Sequence, residues 1–129
     1  MSDASRRVLI VEDDDDISES MADLLEGEGY KVGRAADGAQ ALRLLRAADG
    51  NRPGLILLDL MMPRMDGYQF RAEQRADPAL AGIPVLVMSA AGDMEARAAE
   101  LGAGGYLKKP FRDLDAIVAA VNRLYQSDE

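Results

Sequence analysis

Five short apolar runs alternate with five segments of helical periodicity along this chain of 129 residues. The runs lie at residues 8–11, 31–35, 55–58, 85–88 and 106–107, and the run at 31–35 is the least apolar. Aliphatic runs without regular polar alternation are typical of strands that are buried on both faces of a parallel sheet. The alternation therefore predicts five strand-then-helix units, with helices covering both faces of a single sheet.

The segments between the runs carry helical stripes and recognisable boundaries. In the first, Ile17, Met21, Leu24 and Leu25 share one helical face, which ends near Gly27. Asp37 is suited to cap a second helix. A third helix is predicted to begin near Asp66-Gly67, with a mostly polar stripe, and a fourth helix to span 93–101. The last helix has the clearest stripe, formed by Leu114, Ile117, Val118, Val121 and Leu124.

Five such units fit a flavodoxin-like, doubly wound α/β fold with strand order 2-1-3-4-5, because right-handed crossovers leave few other arrangements. Ligands of such sheets bind at the carboxyl ends of the strands, where the winding reverses between strands 1 and 3. The chain length suits one domain over 1–129, with a core at about 7–125.

Composition excludes several classes of chemistry. The chain has no cysteine and no histidine, which removes disulfides, thiolate nucleophiles, Ser-His-Asp catalysis and imidazole metal ligands. A net charge of −8 argues against direct binding of nucleic acid. No apolar stretch is long enough for a signal peptide or a membrane span, so we expect a cytoplasmic protein without a membrane partner.

Acidic residues stand directly at the ends of two of the predicted strands. Strand 1 runs into five acids, Glu12 to Asp16, and strand 3 ends in Asp59. Carboxylates that converge at one edge repel each other unless a cation neutralises them, and Mg²⁺ prefers oxygen ligands. Asp13 and Asp59 are predicted to bind it directly, and Glu12 either directly or through water, with Mn²⁺ as an alternative ion.

The remaining acids of the run have a simpler interpretation. Asp14, Asp15 and Asp16 are predicted to begin the first helix, where negative charge is favourable, and Asp16 with Glu19 fits a capping box. The run does not fit a calcium-binding EF-hand loop, since Ser18 stands where that loop needs glycine.

Two further polar residues follow strands 4 and 5. Ser89 follows residues 85–88, and Lys109 precedes Pro110 after the final strand. Taken alone, each fits an ordinary turn. On the predicted sheet, however, a hydroxyl, an ammonium group and a metal surround Asp59, and this combination suits the binding of a phosphoryl group.

The chain resembles response-regulator receiver domains from about residue 7 to 125. The resemblance rests on these segments, in the order and spacing of that family: Val11-Glu12-Asp13-Asp14, Leu58-Asp59-Leu60-Met61-Met62-Pro63, Met65-Asp66-Gly67, Val87-Met88-Ser89-Ala90 and Lys109-Pro110-Phe111. It implies that Asp59 accepts a phosphoryl group, and that Glu12, Asp13, Asp59 and the main-chain carbonyl of Met61 hold Mg²⁺. It also implies that Ser89 and Lys109 contact phosphoryl oxygens and that the Lys109–Pro110 peptide bond is cis.

The resemblance further implies a signalling switch that catalyses only its own phosphorylation and dephosphorylation. The donor is a sensor histidine kinase or a histidine phosphotransfer protein. Ser89 and Tyr106 are the expected switch residues, and they change the helix 4–strand 5–helix 5 surface that a downstream protein binds. We expect a monomer or a dimer linked to phosphorylation, and the position of Met1 favours a stand-alone protein.

Some features depart from the family pattern or leave alternatives open. Met61 and Ala91 are apolar where the family flanks the phosphoryl group, so we expect a long-lived aspartyl phosphate. A pseudo-receiver that acts without phosphorylation is the alternative interpretation, against which the intact acceptor set argues. A haloacid-dehalogenase phosphatase needs an acid where Met61 stands, and five acids after strand 1 would repel the phosphate of FMN in a flavodoxin.

Overall fold

Five parallel strands form one sheet with helices on both sides in the computed structural model, which describes residues 6–48, 51–62, 64–90 and 92–127. The strands are β1 (Arg7–Val11), β2 (Lys31–Ala35), β3 (Leu55–Asp59), β4 (Val85–Ser89) and β5 (Gly105–Lys108). The helices are α1 (Asp15–Gly27), α2 (Gly38–Ala48), α3 (Gly67–Ala76), α4 (Met94–Leu101) and α5 (Leu114–Ser127).

The strand order is β2-β1-β3-β4-β5, which confirms the predicted flavodoxin-like arrangement. The register pairs Val11 with Leu58, and Asp59 with Met88. β1, β3 and β4 therefore end at the same edge of the sheet, and the residues that follow them lie side by side. The least apolar run, β2, is an edge strand, where a partly exposed position needs fewer apolar side chains.

Alternate residues of the strands supply two separate cores. On one face, Leu9 and Val11 belong to a buried cluster with side chains of α2, α3 and α4. On the other, Val8 and Ile10 pack with side chains of α1 and α5. The side chains of β3 and β4 are fully buried, as the near-continuous apolar runs predict.

The start of α1 differs from the prediction. The N-cap is Asp14, whose Oδ1 accepts a hydrogen bond of 3.1 Å from the backbone N–H of Ile17. Asp15 and Asp16 lie within the first turn, so the predicted Asp16–Glu19 capping box is wrong. The third acid of the run takes the cap, and the next two lie in the first turn, where negative charge interacts favourably with the helix dipole.

The predicted stripe of α5 is wrong at its first member. Ile117, Val121 and Leu124 are buried, whereas Leu114 is 56% exposed. Leu114 instead borders a groove between α1 and α5, together with Phe111. The helix begins before the sheet can cover it, which periodicity alone does not show.

The polar stripe of α3 is explained by a buried network of hydrogen bonds. The Arg71 guanidinium donates to the carbonyl oxygens of Leu101 and Gly102 at 2.9 and 3.0 Å, and to Gln74 Oε1 at 2.8 Å. The Gln74 amide donates to two carbonyl groups of the 77–84 connection, both at 3.0 Å. Arg71 thus satisfies carbonyl groups at the end of α4, and Gln74 satisfies those of the connection, which a leucine could not do.

Candidate functional site

Three carboxylates come together at the carboxyl edge of the sheet. Glu12 and Asp13 follow β1, Asp59 ends β3, and ligand oxygens of all three lie within 4.8 Å of one another. Glu12 and Asp59 are buried, whereas Asp13 is exposed. The convergence predicted from the strand ends is thus present, and a hard dication fits a set of donors that consists of carboxylate oxygens.

Lys109 contacts the buried members of this cluster. Its Nζ lies 2.6 Å from Glu12 Oε1 and 3.3 Å from Asp59 Oδ2. The connection after β5 positions it, since the Lys109 backbone N–H donates to the Ser89 carbonyl oxygen at 2.9 Å and the Lys109–Pro110 bond is cis, as predicted. Burial by itself lowers the pKa of Lys109, but the hydrogen bond with Glu12 and the charge of Asp59 raise it overall.

Glu12 carries the largest electrostatic perturbation of the site. Burial raises its pKa to about 7, against the hydrogen bonds from Lys109 and from the Asp14 backbone N–H, which lower it. The neighbouring charge of Asp59 raises it further. Burial thus favours the protonated form of the Glu12 carboxyl group in the metal-free protein, and a bound cation would compete with that proton.

The connection between β3 and α3 shapes the other side of Asp59. The Met61 backbone N–H donates to Asp59 Oδ1 at 3.2 Å, and Met61 lines a cavity of about 500 Å³ together with Asp13, Ser89 and Lys109. Gly67 lies behind Asp59, where an added Cβ would come within 2.7 Å of the Asp59 carbonyl oxygen. The side chains predicted for the site therefore line one cavity: Glu12, Asp13, Asp59, Met61, Ser89 and Lys109.

The two predicted switch residues lie at different depths. Ser89 is 1% exposed at the end of β4, whereas the Tyr106 side chain is 43% exposed on β5. Tyr106 lies against α4 and lines a shallow cavity with Met94 and Lys108. Ala91, named for its effect on phosphoryl lifetime, lies outside the described residues, as does Pro63.

The sequence did not single out one ion pair close to the site. Arg64 lies in the connection between β3 and α3, and its Nη2 is 2.7 Å from Asp37 Oδ2. Asp37 was predicted as the cap of α2, and its Oδ1 does accept a hydrogen bond from the Gln40 backbone N–H at 2.9 Å. No sequence signal joined it to Arg64, because the two residues belong to different loops.

Comparison with known proteins decides the family. The family model described as "Response regulator receiver domain" matches residues 8–122. The chain belongs to this family. It is therefore a receiver domain of two-component signalling, a class of signalling switch that is generally not counted among enzymes. The resemblance noted in the sequence is confirmed.

Curated relatives and solved structures agree with this assignment. The chain is 34% identical over 131 residues to the DNA-binding response regulator MtrA of Mycobacterium tuberculosis, covering 100% of this chain and 55% of the relative. It is 42% identical over 115 residues to the transcriptional regulatory protein PdtaR of the same species, covering 88% of this chain and 54% of that protein. This receiver domain thus spans about half the length of these curated relatives.

A solved structure has the same fold. The signal receiver domain of a signal transduction histidine kinase from Syntrophus aciditrophicus superposes with a TM-score of 0.82 and 32% identity, covering 95% of this chain and 91% of that one. Among the described residues, no helix has the length and apolar character needed to cross a membrane.

Proposed function

We propose that this receiver domain accepts a phosphoryl group on Asp59 from a sensor histidine kinase or a histidine phosphotransfer protein. The observation that carries the proposal is the position of the Asp59 carboxylate between the acidic cluster and the Lys109 ammonium group. An acceptor needs charge neutralisation and in-line positioning much more than an acid–base residue. A site without histidine can therefore support the reaction.

The donor set fits a divalent metal. Glu12, Asp13 and Asp59 would hold Mg²⁺ or Mn²⁺ with the main-chain carbonyl of Met61, and the cluster of carboxylate oxygens within 4.8 Å supports this assignment. Bound there, the ion would neutralise charge on the transferring phosphoryl group. Its binding would also favour the ionised form of Glu12, whose pKa burial raises to about 7.

The transfer step follows from the positions of the side chains. A carboxylate oxygen of Asp59 forms a bond to phosphorus, the P–N bond of the donor phosphohistidine breaks, and its electron pair leaves with the imidazole nitrogen. The ammonium group of Lys109 lies 3.3 Å from Asp59 Oδ2, where it would stabilise negative charge on the phosphoryl oxygens. The Ser89 hydroxyl donates a hydrogen bond to another of these oxygens.

The donor has an accessible route on one side of the acceptor. A groove of about 590 Å³ between α1 and α5 reaches Lys109 and is bordered by Met21, Leu24, Phe111 and Leu114. Such an apolar groove suits a helix of the donor protein, whose histidine would then lie next to the acceptor edge of the sheet. The 56% exposure of Leu114 supports this use, since the side chain is apolar and lies at the rim.

We propose that phosphorylation changes the surface formed by α4, β5 and α5. Movement of Ser89 toward a phosphoryl oxygen would open space beside the exposed Tyr106 ring. The Tyr106 ring could then turn inward, and this would change the surface that a downstream protein binds. The proposal includes one domain over 1–129 in the cytoplasm, as a monomer or a phosphorylation-linked dimer, without direct nucleic-acid or membrane contact. The apolar Met61 would leave the aspartyl phosphate long-lived.

Incubation with acetyl phosphate and Mg²⁺, followed by intact mass measurement, tests this function. We expect an increment of one phosphoryl group in the parent and in Met61→Leu, and none in Asp59→Asn. Omission of Mg²⁺ with added EDTA should abolish the increment. A parent that stays unmodified, while a known receiver domain is labelled in the same buffer, would favour the pseudo-receiver interpretation.

A further inference from the structure

The connection between β3 and α3 is tied to the loop that precedes α2. Arg64 Nε and Nη2 lie 2.8 and 2.7 Å from Asp37 Oδ2. The Asp37 carboxylate is buried and its other oxygen caps α2, whereas the Arg64 side chain is 71% exposed. The Gln40 hydrogen bond and the Arg64 guanidinium both hold the pKa of Asp37 below its usual value.

Backbone contacts beside the ion pair bring the two loops close. The Gly38 backbone N–H donates to the Met65 carbonyl oxygen at 3.1 Å. A Cβ on Gly38 would come within 2.7 Å of Met65 Cγ, so only glycine allows this approach without a shift. Arg64 itself has φ +62, in the left-handed region that costs a non-glycine residue energy. Such a conformation persists where surrounding contacts hold it, and the contact with Asp37 is one of these.

Both tied segments lead directly to the acceptor site. Arg64 stands three residues after Met61, whose backbone N–H contacts Asp59 Oδ1. The loop before α2 follows Ala35, the last residue of β2. The Ala35 carbonyl oxygen accepts a hydrogen bond of 3.0 Å from the Glu12 backbone N–H. The Arg64–Asp37 pair thus joins the segment that is hydrogen-bonded to Glu12 to the segment that carries Met61.

We propose that Arg64 is a positioning residue for this site, and that its ion pair with Asp37 acts as a latch that holds the Met61 backbone beside Asp59. This inference rests on the proposed function, since a held Met61 matters if its carbonyl group is a metal ligand. An exposed arginine contributes little to global stability. The latch therefore acts on the local position of the connection and on metal affinity.

The structure offers matched variants for a test. Arg64→Ala removes the latch, and Arg64→Lys retains the positive charge. Asp37→Asn removes the charge but retains a good helix cap. Arg46→Ala is the control, because Arg46 also joins α2 to α3, through an exposed pair with Asp77 at 3.3 Å that lies at the far ends of those helices.

Two measurements are made on each full-length variant. Titration with Mn²⁺, followed by water-proton relaxation, gives the metal affinity, and amide hydrogen exchange at Met61 in metal-free protein gives the stability of its contact with Asp59. We expect Arg64→Ala and Asp37→Asn each to weaken Mn²⁺ binding about fivefold, the upper end of the range for pairs at the surface, because the Arg64 side chain is largely exposed although Asp37 is buried. Exchange at Met61 should accelerate by a similar factor, the double variant should show no further loss, and Arg64→Lys should recover part of both.

The outcomes separate the latch from the proposed function. Unchanged exchange at Met61 in Arg64→Ala, or a Mn²⁺ affinity equal to that of Arg46→Ala, would overturn the latch while leaving the phosphoryl site intact. A parent protein that binds no Mn²⁺ would count against the metal site and, with it, against the positioning role. Equal losses in both measurements for Arg46→Ala would show a general effect of helix packing and would also overturn it.

Discussion

Replacement of Glu12 by glutamine should remove a pH dependence of folding from the metal-free protein. The folded-state pKa of Glu12 is raised by burial to about 7, from an ordinary value of 4.5. Its contribution to stability is therefore fully present below pH 4.5 and is lost as the pH rises through about 7. Glutamine keeps the shape of the side chain and an acceptor for the Asp14 backbone N–H, but it does not ionise in this range.

The size of the effect follows from the difference between the two pKa values. Each pKa unit corresponds to about 1.36 kcal/mol, so ionisation of Glu12 lowers the free energy of unfolding by about 3 kcal/mol when it is complete. Between pH 5 and 8 the parent should lose about 2 to 3 kcal/mol relative to Glu12→Gln. This is a large fraction of the stability of a typical domain.

This chain is well suited to the measurement. It contains no histidine and no cysteine, the side chains whose ordinary pKa values fall in or near this range. The α-amino group also titrates near the upper end, but it is common to both proteins and cancels in their difference. The difference between parent and variant therefore isolates Glu12 together with its contacts to Lys109 and Asp59.

The assay is urea unfolding in EDTA at pH 5, 6, 7 and 8. We expect the parent to become less stable than Glu12→Gln as the pH rises. Saturating Mg²⁺ should reverse the trend in the parent, because the ion binds the carboxylate and not the carboxylic acid, and should do little in the variant. Parallel curves for parent and variant in EDTA would refute the assignment of a buried, proton-sensitive carboxyl group at this position.

Two further changes test the packing around the site. Arg71→Met should cost about 1 to 3 kcal/mol, because it removes the donor to the Gly102 carbonyl group and leaves the buried Leu101 carbonyl group with only the longer contact of 3.3 Å from Arg75. Arg43→Ala, at an exposed position of α2, is the control, and equal urea midpoints for the two would contradict the network. Gly67→Ala should cost about 1 to 3 kcal/mol, since its methyl group would lie 2.7 Å from backbone atoms of Asp59 and Leu60. Gly82→Ala is the control, because an added Cβ at Gly82 has no heavy atom within 4 Å. A Gly67→Ala protein as stable as Gly82→Ala would count against the close contact at Gly67.

Helix boundaries show how local signals differ in reliability. The sequence predicts Asp37 as a cap and the start of a helix near Asp66, and both carboxylates accept hydrogen bonds from the backbone three residues ahead. At α1 the sequence instead favours a capping box at Asp16, whereas Asp14 is the cap, because a run of acids offers several equivalent caps. The chain takes the cap that the end of β1 dictates, and this depends on where the sheet stops.

The polar face of α3 could not be interpreted from its own residues. Arg71 and Gln74 are buried, yet their partners are carbonyl groups of other segments, 6 to 31 residues away. Likewise, the Arg64–Asp37 pair joins two loops 27 residues apart. A sequence pattern reports which side chains share a helix face or a strand face, but not which polar groups of another element they will meet.

Sequence patterns were enough to predict the five strand-and-helix units and the edge of the sheet at which the acids meet. Periodicity and handed crossovers limit the strand order, and the ends of parallel strands then lie together whatever the packing details. The tertiary contacts were needed to show that Glu12 is buried beside Lys109 while Asp13 faces solvent, and that Arg64 pairs with Asp37 before α2. Burial and ion pairing depend on contacts between distant segments, and these contacts set the electrostatics of Glu12 and join the β3–α3 connection to its neighbouring loop.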